Sequence, residues 1–238
     1  MRVLLNMLVR ACLCGVLVLL TTANAQQAYY PQQAGSSWFF DSGDSGDNGD
    51  SGDNGEQVFL ERVPSLTFET FINREGITPD PVTTNQVRVR VRRIGEVEVA
   101  REILSFSDAG VFLHGSTAGA LSLIYEPPLL LYPPAPLEVG LTWRSETDVR
   151  SELRGSSESM QGVTRVTLTA TVTGIQGIGS PLGNFNTFVI EQVSVVDTGD
   201  VPTESVRVEY FLPTVGVVAF TEEEGQRQVL EQTNFPIP

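Results

Sequence analysis

Lysine is absent from the chain, histidine occurs once and cysteine twice, and each scarcity removes a class of chemistry. Without lysine there is no Schiff-base or lysine-base catalysis. Both cysteines, Cys12 and Cys14, fall within a stretch that reads as a cleaved leader. The mature chain then carries no disulfide, no thiolate nucleophile and no cysteine-bound metal. An exported chain without crosslinks depends on its hydrophobic core. Its length allows one, because chains beyond about 150 residues bury roughly 70% of their unfolded surface. Positive charge is also in short supply: 15 basic residues, all arginine, stand against 29 acidic ones, for a net charge of −14. So acidic a chain repels nucleic acid and anionic lipid, and neither is an expected partner.

Arg2 and Arg10 are the only charges in residues 1–25. An apolar run from Ala11 to Leu20 follows, then Thr21-Thr22-Ala23-Asn24-Ala25. A cationic head, a short apolar stretch and an Ala-x-Ala ending describe a secretory signal peptide, cleaved after Ala25. The alternative is a retained anchor, but the apolar run is shorter than the roughly 20 residues a membrane-spanning helix needs. Cys12 and Cys14 precede most of that run, which argues against lipid attachment there. The expectation is export to the periplasm, the cell surface or the medium, with no stable membrane span in the mature chain.

Residues 26–56 read as a disordered arm. Gln26 to Phe40 mixes glutamine, alanine, glycine and serine with Tyr29, Tyr30 and the Trp38-Phe39-Phe40 cluster. A five-fold Asp-Ser/Asn-Gly tripeptide then runs from Asp41 to Gly55. Glycine frees its backbone and aspartate repels aspartate, so a solvated linker is expected. The aromatic cluster leaves two readings, a spacer or a segment that docks on the folded domain or a partner, and the spacer is preferred. The repeat does not make a helix-loop-helix calcium site, because period three misses the required spacing of acids, glycine and a final glutamate.

From 57 to 238 the pattern is that of one β domain. Val87-Arg88-Val89-Arg90-Val91-Arg92 alternates strictly, as does Glu96-Val97-Glu98-Val99. Such alternation predicts one buried and one wet face. A three-residue loop, Arg93-Ile94-Gly95, would set Arg92 against Glu96, Arg90 against Glu98 and valine against valine. Further strands are predicted around 166–173, 187–196, 205–212, 215–221 and 226–233, with turns at Gly110, Gly174 to Gly183 and Thr198 to Pro202. No helical stripe interrupts them. Short antiparallel strands with Gly/Pro turns indicate a sandwich or a barrel. Five prolines between Pro127 and Pro136 should exclude that segment from the sheet, leaving an extended strap whose Leu129, Leu131 and Leu137 plug into it.

Catalytic candidates are few. His114 sits at an expected strand end; one histidine without cysteine assembles no zinc site, and Ser116 nearby lacks a Gly-x-Ser-x-Gly elbow. It reads as an ordinary surface or strand-end residue. Glu222-Glu223-Glu224 reads as a solvated hairpin tip, and Glu96 and Glu98 as partners of arginine, so neither set makes an acid–base pair. The Arg88, Arg90, Arg92 stripe is no anion site if the next strand neutralises it. No catalytic, cofactor or metal residue is assigned.

Four stretches together resemble a group of exported bacterial β-proteins of unknown function, the TapB-like family. They are Gly110-Val111-Phe112-Leu113-His114-Gly115; Tyr125-Glu126-Pro127-Pro128-Leu129 leading to Pro136-Leu137-Glu138-Val139-Gly140-Leu141-Thr142-Trp143; Gly183-Asn184-Phe185-Asn186-Thr187; and Tyr210-Phe211-Leu212-Pro213-Thr214-Val215-Gly216-Val217-Val218. The likeness spans most of Leu66 to Thr233. It implies an antiparallel, strongly curved sheet, in the manner of the partly open barrels of lipoprotein carriers, and brings no catalytic residue with it. Where the group is expected to carry Pro-Gly-Val-Gly, this chain has Thr214 in place of the first glycine. The functional expectation is a non-enzymatic envelope or secreted protein that binds a partner protein or an apolar ligand. Two rivals are a lipid carrier with an apolar cavity and a secreted hydrolase using paired carboxylates.

Overall fold

The computed structural model describes residues 30–31, 33–41, 55–62, 87–119, 121–134, 136–153, 159–199, 201–222, 225 and 227–237. Twelve strands run through them: β1 (Ser37–Asp41), β2 (Glu56–Arg62), β3 (Val87–Ile94), β4 (Val97–Ser107), β5 (Gly110–Ala118), β6 (Leu121–Tyr132), β7 (Thr142–Leu153), β8 (Ser159–Ser180), β9 (Gly183–Asp197), β10 (Thr203–Leu212), β11 (Gly216–Glu222) and β12 (Gln228–Thr233). Each pairs antiparallel with its neighbour in sequence, and β1 joins β2 to β12, so the sheet closes into a barrel. The all-β expectation holds. Closure removes the exposed strand edges on which chains aggregate. Among the described residues no helix is long and apolar enough to cross a membrane. The leader and residues 42–54 of the acidic repeat lie outside the described residues.

Within the segment 26–56 read as a disordered arm, residues 37–41 instead form the closing strand, and Glu56 begins β2. β1 carries Trp38 and Phe40 inward, where they are almost fully buried, while Tyr30 just upstream is equally buried. The Trp38 indole N–H donates to the Val215 carbonyl at 2.8 Å, and its ring meets Phe235 edge-on at 5.2 Å. Phe40 meets Phe220 at 5.3 Å, and the Tyr30 hydroxyl donates to the Pro133 carbonyl. Three large aromatics repay the ordering of a short segment, which composition alone made look dispensable.

The β3–β4 register also differs from the expected one. Gly95 does take the left-handed conformation, at φ 58°. The turn is two residues long, however, with Ile94 opposite Val97, and an irregularity after Arg92 then sets Arg92 against Ala100 and Arg90 against Glu102. This register brings Leu104 and Phe106 of the longer β4 into the core, which outweighs the Arg–Glu pairing expected at the tip. The alternation of β3 does give one buried and one more exposed face, as expected. Val87, Val89 and Val91 are buried, and Arg90 and Arg92, on the other face of the strand, point into the barrel.

Two further expectations change. Pro127 and Pro128 lie within β6, yet the ladder to β5 jumps there from Ile124 to Leu129, and the ladder to β7 ends at Glu126. The prolines thus occupy the places where no donor is needed. Leu129 and Leu137 plug the core as expected, and Leu131 is half-buried. The supposed long turn from Gly174 to Gly183 is instead strand up to Ser180, with Pro181 and Leu182 at the tip. Gly174 marks a bulge, and Ile178 opposite Phe185 extends the core along this arm.

Thr214 is the only described non-glycine residue with positive φ, at 73°, in the exposed turn between β10 and β11. A β-branched side chain there costs roughly 1–2 kcal/mol. Thr214→Gly relieves that strain while adding some backbone entropy to the unfolded chain. We expect a net gain of about 1 kcal/mol, read as a higher urea midpoint; an unchanged or lower midpoint would show that the turn is not strained.

Candidate functional site

The barrel interior holds a cavity of about 270 Å³. Its apolar lining comes from Tyr30, Trp38 and Phe40 of the N-terminal segment together with Leu104, Phe211 and Phe220. Tyr30, Tyr132 and Phe211 form a ring cluster with centroids 5.3–5.6 Å apart. Among these rings runs a belt of charge that sequence reasoning did not assemble, Arg90, Arg92 and Arg207 with Glu56, Glu102 and Glu209; Glu56 is the cross-strand partner of Phe40, and Arg207 lies over Phe220.

Every member of the belt has a partner. Arg92 donates through Nε and Nη2 to both oxygens of Glu56, at 2.6 and 3.0 Å. Arg90 Nε donates to Glu102 Oε2 at 2.5 Å. The Glu209 carboxylate is the hub, accepting from the Tyr132 hydroxyl at 2.7 Å, Gln192 at 2.9 Å and Arg207 at 2.9 Å. Arg207 also reaches Glu222 and lies 4.1 Å above the Phe220 ring, a cation–π contact. Burial alone would push the Glu102 carboxyl up, but the Arg90 guanidinium more than reverses this and holds it below the usual range. Burial likewise works against the charge on Arg90, and Glu102 restores it. Tyr132 is raised well above its ordinary value, first by burial and then by the facing Glu209, so it stays protonated and donates.

Three carboxylates in one cleft meet the first requirement of a carboxylate hydrolase. Acid–base cleavage also needs one carboxyl kept protonated beside one ionised, and at Glu102 the Arg90 guanidinium favours the ionised form. Each carboxylate here is clamped by its own arginine.

The other candidates do not converge. His114 is not at a strand end but inside β5, as a bulged residue that neither neighbouring ladder pairs. Its Nε2 contacts the Ser105 hydroxyl at 2.7 Å, whereas Ser116 lies against the Tyr125 hydroxyl at 3.4 Å, so His114 and Ser116 form no relay. Glu98 pairs with Arg101 at the exposed hairpin, and Glu222 ends β11 in the exposed pair with Arg207. Glu223 and Glu224 lie outside the described residues. Arg90 and Arg92 of the arginine stripe are neutralised, but by Glu102 and Glu56 instead of Glu98 and Glu96. Among the described residues no group of three or more histidine, cysteine or carboxylate side chains is placed to hold a metal.

Burial lowers the His114 pKa from 6.5 to about 4. The unfolded chain therefore binds the extra proton between these values and the folded chain does not, so stability is complete above pH 6.5 and falls as pH drops toward 4. The loss is on the order of 2 kcal/mol, after discounting for the partial exposure of the ring. His114→Gln should flatten that part of the curve of unfolding free energy against pH; an unaltered slope would place the acid sensitivity elsewhere.

No family model matches the chain, and no curated protein does. Two solved structures are similar to it. One is a protein from Bacteroides fragilis, assigned as exported with a YmcC-like fold, at 12% identity over 87% of this chain and 99% of that one, with a TM-score of 0.45. The other, assigned as a lipoprotein of Parabacteroides distasonis, is 10% identical over 87% of this chain and 98% of that one, with a TM-score of 0.41.

Proposed function

We propose that this chain is an exported, non-enzymatic binding protein whose barrel interior receives a small amphipathic ligand. Export rests on the leader, and the four motifs quoted above support a place among the TapB-like exported β-proteins. The observation that carries the binding reading is the cavity itself, lined both by aromatic rings and by three ion pairs. The three glutamates are largely buried and their arginines partly so; ion pairs in such places cost desolvation, and apolar side chains of equal volume commonly stabilise a fold as well or better. A barrel of this girth built for stability alone would fill its interior with leucine and phenylalanine. An apolar wall facing a few fixed polar groups is the usual design of a small-molecule pocket, and this volume sits near the lower end for such sites.

Native mass spectrometry of the protein purified from its own host tests the proposal. We expect a co-purifying small-molecule adduct that collisional activation releases. A protein that carries no adduct and takes up no added amphiphile would refute the reading.

A further inference from the structure

The hydrogen-bond inventory of the belt narrows the ligand class, on the condition that the cavity reading above is correct. Three arginines and three glutamates give the cavity lining a formal charge of zero. Donors and acceptors are not balanced in the same way. A guanidinium carries five N–H donors. Arg92 uses Nε and Nη2 on Glu56, and Arg207 uses Nε and Nη1 on Glu209 and Glu222. Arg90 uses Nε alone, so among the described residues its two terminal nitrogens have no acceptor. On the acceptor side, both oxygens of Glu56 and both of Glu209 are taken, and Glu102 Oε1 is left over beside Arg90.

The cavity therefore offers several donors and one acceptor next to each other, at a point where positive and negative charge already cancel. A carboxylate or phosphate ligand would add an uncompensated negative charge to a partly buried lining whose own charges already balance. An ammonium ligand would meet carboxylates already held by arginine. A carbonyl oxygen fits the Arg90 terminal nitrogens without adding charge, and a neighbouring hydroxyl fits Glu102 Oε1. The aromatic wall of Tyr30, Trp38 and Phe40 supplies the complementary surface for a short hydrocarbon chain. We propose that the ligand is an uncharged acyl amphiphile, an ester or amide bearing a hydroxylated head, whose carbonyl is held by Arg90.

Isothermal titration of the whole chain with three probes of equal chain length tests this: monooctanoylglycerol, octanoate and octyltrimethylammonium. Monooctanoylglycerol should bind at least 10-fold more tightly than either charged probe. The paired variant R90M/E102L removes the ion pair as a unit, so no charge is stranded, and should abolish that preference. R90K keeps the charge with a single point donor and should weaken monooctanoylglycerol alone, by several-fold; its thermal midpoint checks folding should the double variant fail. Octanoate binding as tightly as the ester, or a preference that survives in both variants, overturns the head-group assignment and leaves the cavity reading standing. No binding by any of the three overturns the cavity reading with it.

Discussion

Replacing Trp38 and Phe40 together with alanine should leave the protein unfolded at 25 °C. Each is a large, nearly solvent-free aromatic whose truncation costs about 3–5 kcal/mol, against a total domain stability of roughly 5–15 kcal/mol. The two sit on one strand and share the core, so their effects do not simply add. Either single change should already shift the urea midpoint by a large fraction of its value. The cost exceeds simple cavity formation, because among the described residues β1 is the strand that joins β2 to β12. Losing it reopens the barrel and exposes two strand edges. Phe39, on the opposite face of the same strand and half-buried, is the internal control, with an expected cost of about 1 kcal/mol. Urea unfolding followed by far-ultraviolet circular dichroism measures all three. An unchanged midpoint for the double variant would mean that the segment is a passive tail.

Glu209→Ala should be the most damaging single change in the charged belt. It takes the acceptor from the Tyr132 hydroxyl and the Gln192 amide and leaves Arg207 with one of its two carboxylates. Removing one partner of an enclosed ion pair costs about 3–5 kcal/mol, mostly as the penalty on what is left behind. The lower end applies here, since Arg207 is partly exposed and keeps Glu222. Glu209→Gln retains an acceptor and should cost less. Glu222→Ala removes only the exposed partner of the same arginine and should cost less than about 1 kcal/mol. The ranking Glu209→Ala, then Glu209→Gln, then Glu222→Ala in unfolding free energy checks the hub. Equal effects at Glu209 and Glu222 would show that the belt is surface electrostatics.

How much of this was legible in the residues follows from what alternation does and does not encode. Period two in Val87–Arg92 and in 166–173 identified strands correctly. It could not say which face was inside. In a half-buried sheet the valine face is the core, but in a barrel whose interior carries ion pairs the same pattern places Arg90 and Arg92 inward. The register of β3 on β4 went wrong because a two-residue turn and a bulge leave no mark in local charge pattern; the decisive residues, Leu104 and Phe106, lie well beyond the hairpin tip. Glu56 was missed because it merges with the end of the acidic repeat and its partner Arg92 lies 36 residues away, and Glu209 because two of its three partners, Tyr132 and Gln192, come from other strands. A signal existed for Glu209: Arg207, Glu209 and Phe211 share one strand face, and a charged pair beside a buried phenylalanine marks a polar interior. Trp38 and Phe40 were legible as an anomaly, since three consecutive aromatics are costly to leave in water. The glycine-rich repeat beside them masked the signal.

Amide hydrogen exchange across residues 37–41 in the intact, ligand-free protein is the most direct test of a barrel closed by its N-terminal segment. Protection there should approach that of Gln228–Thr233, the strand beside it. Exchange at the rate of an unstructured peptide would contradict the closure, and with it the aromatic wall of the cavity.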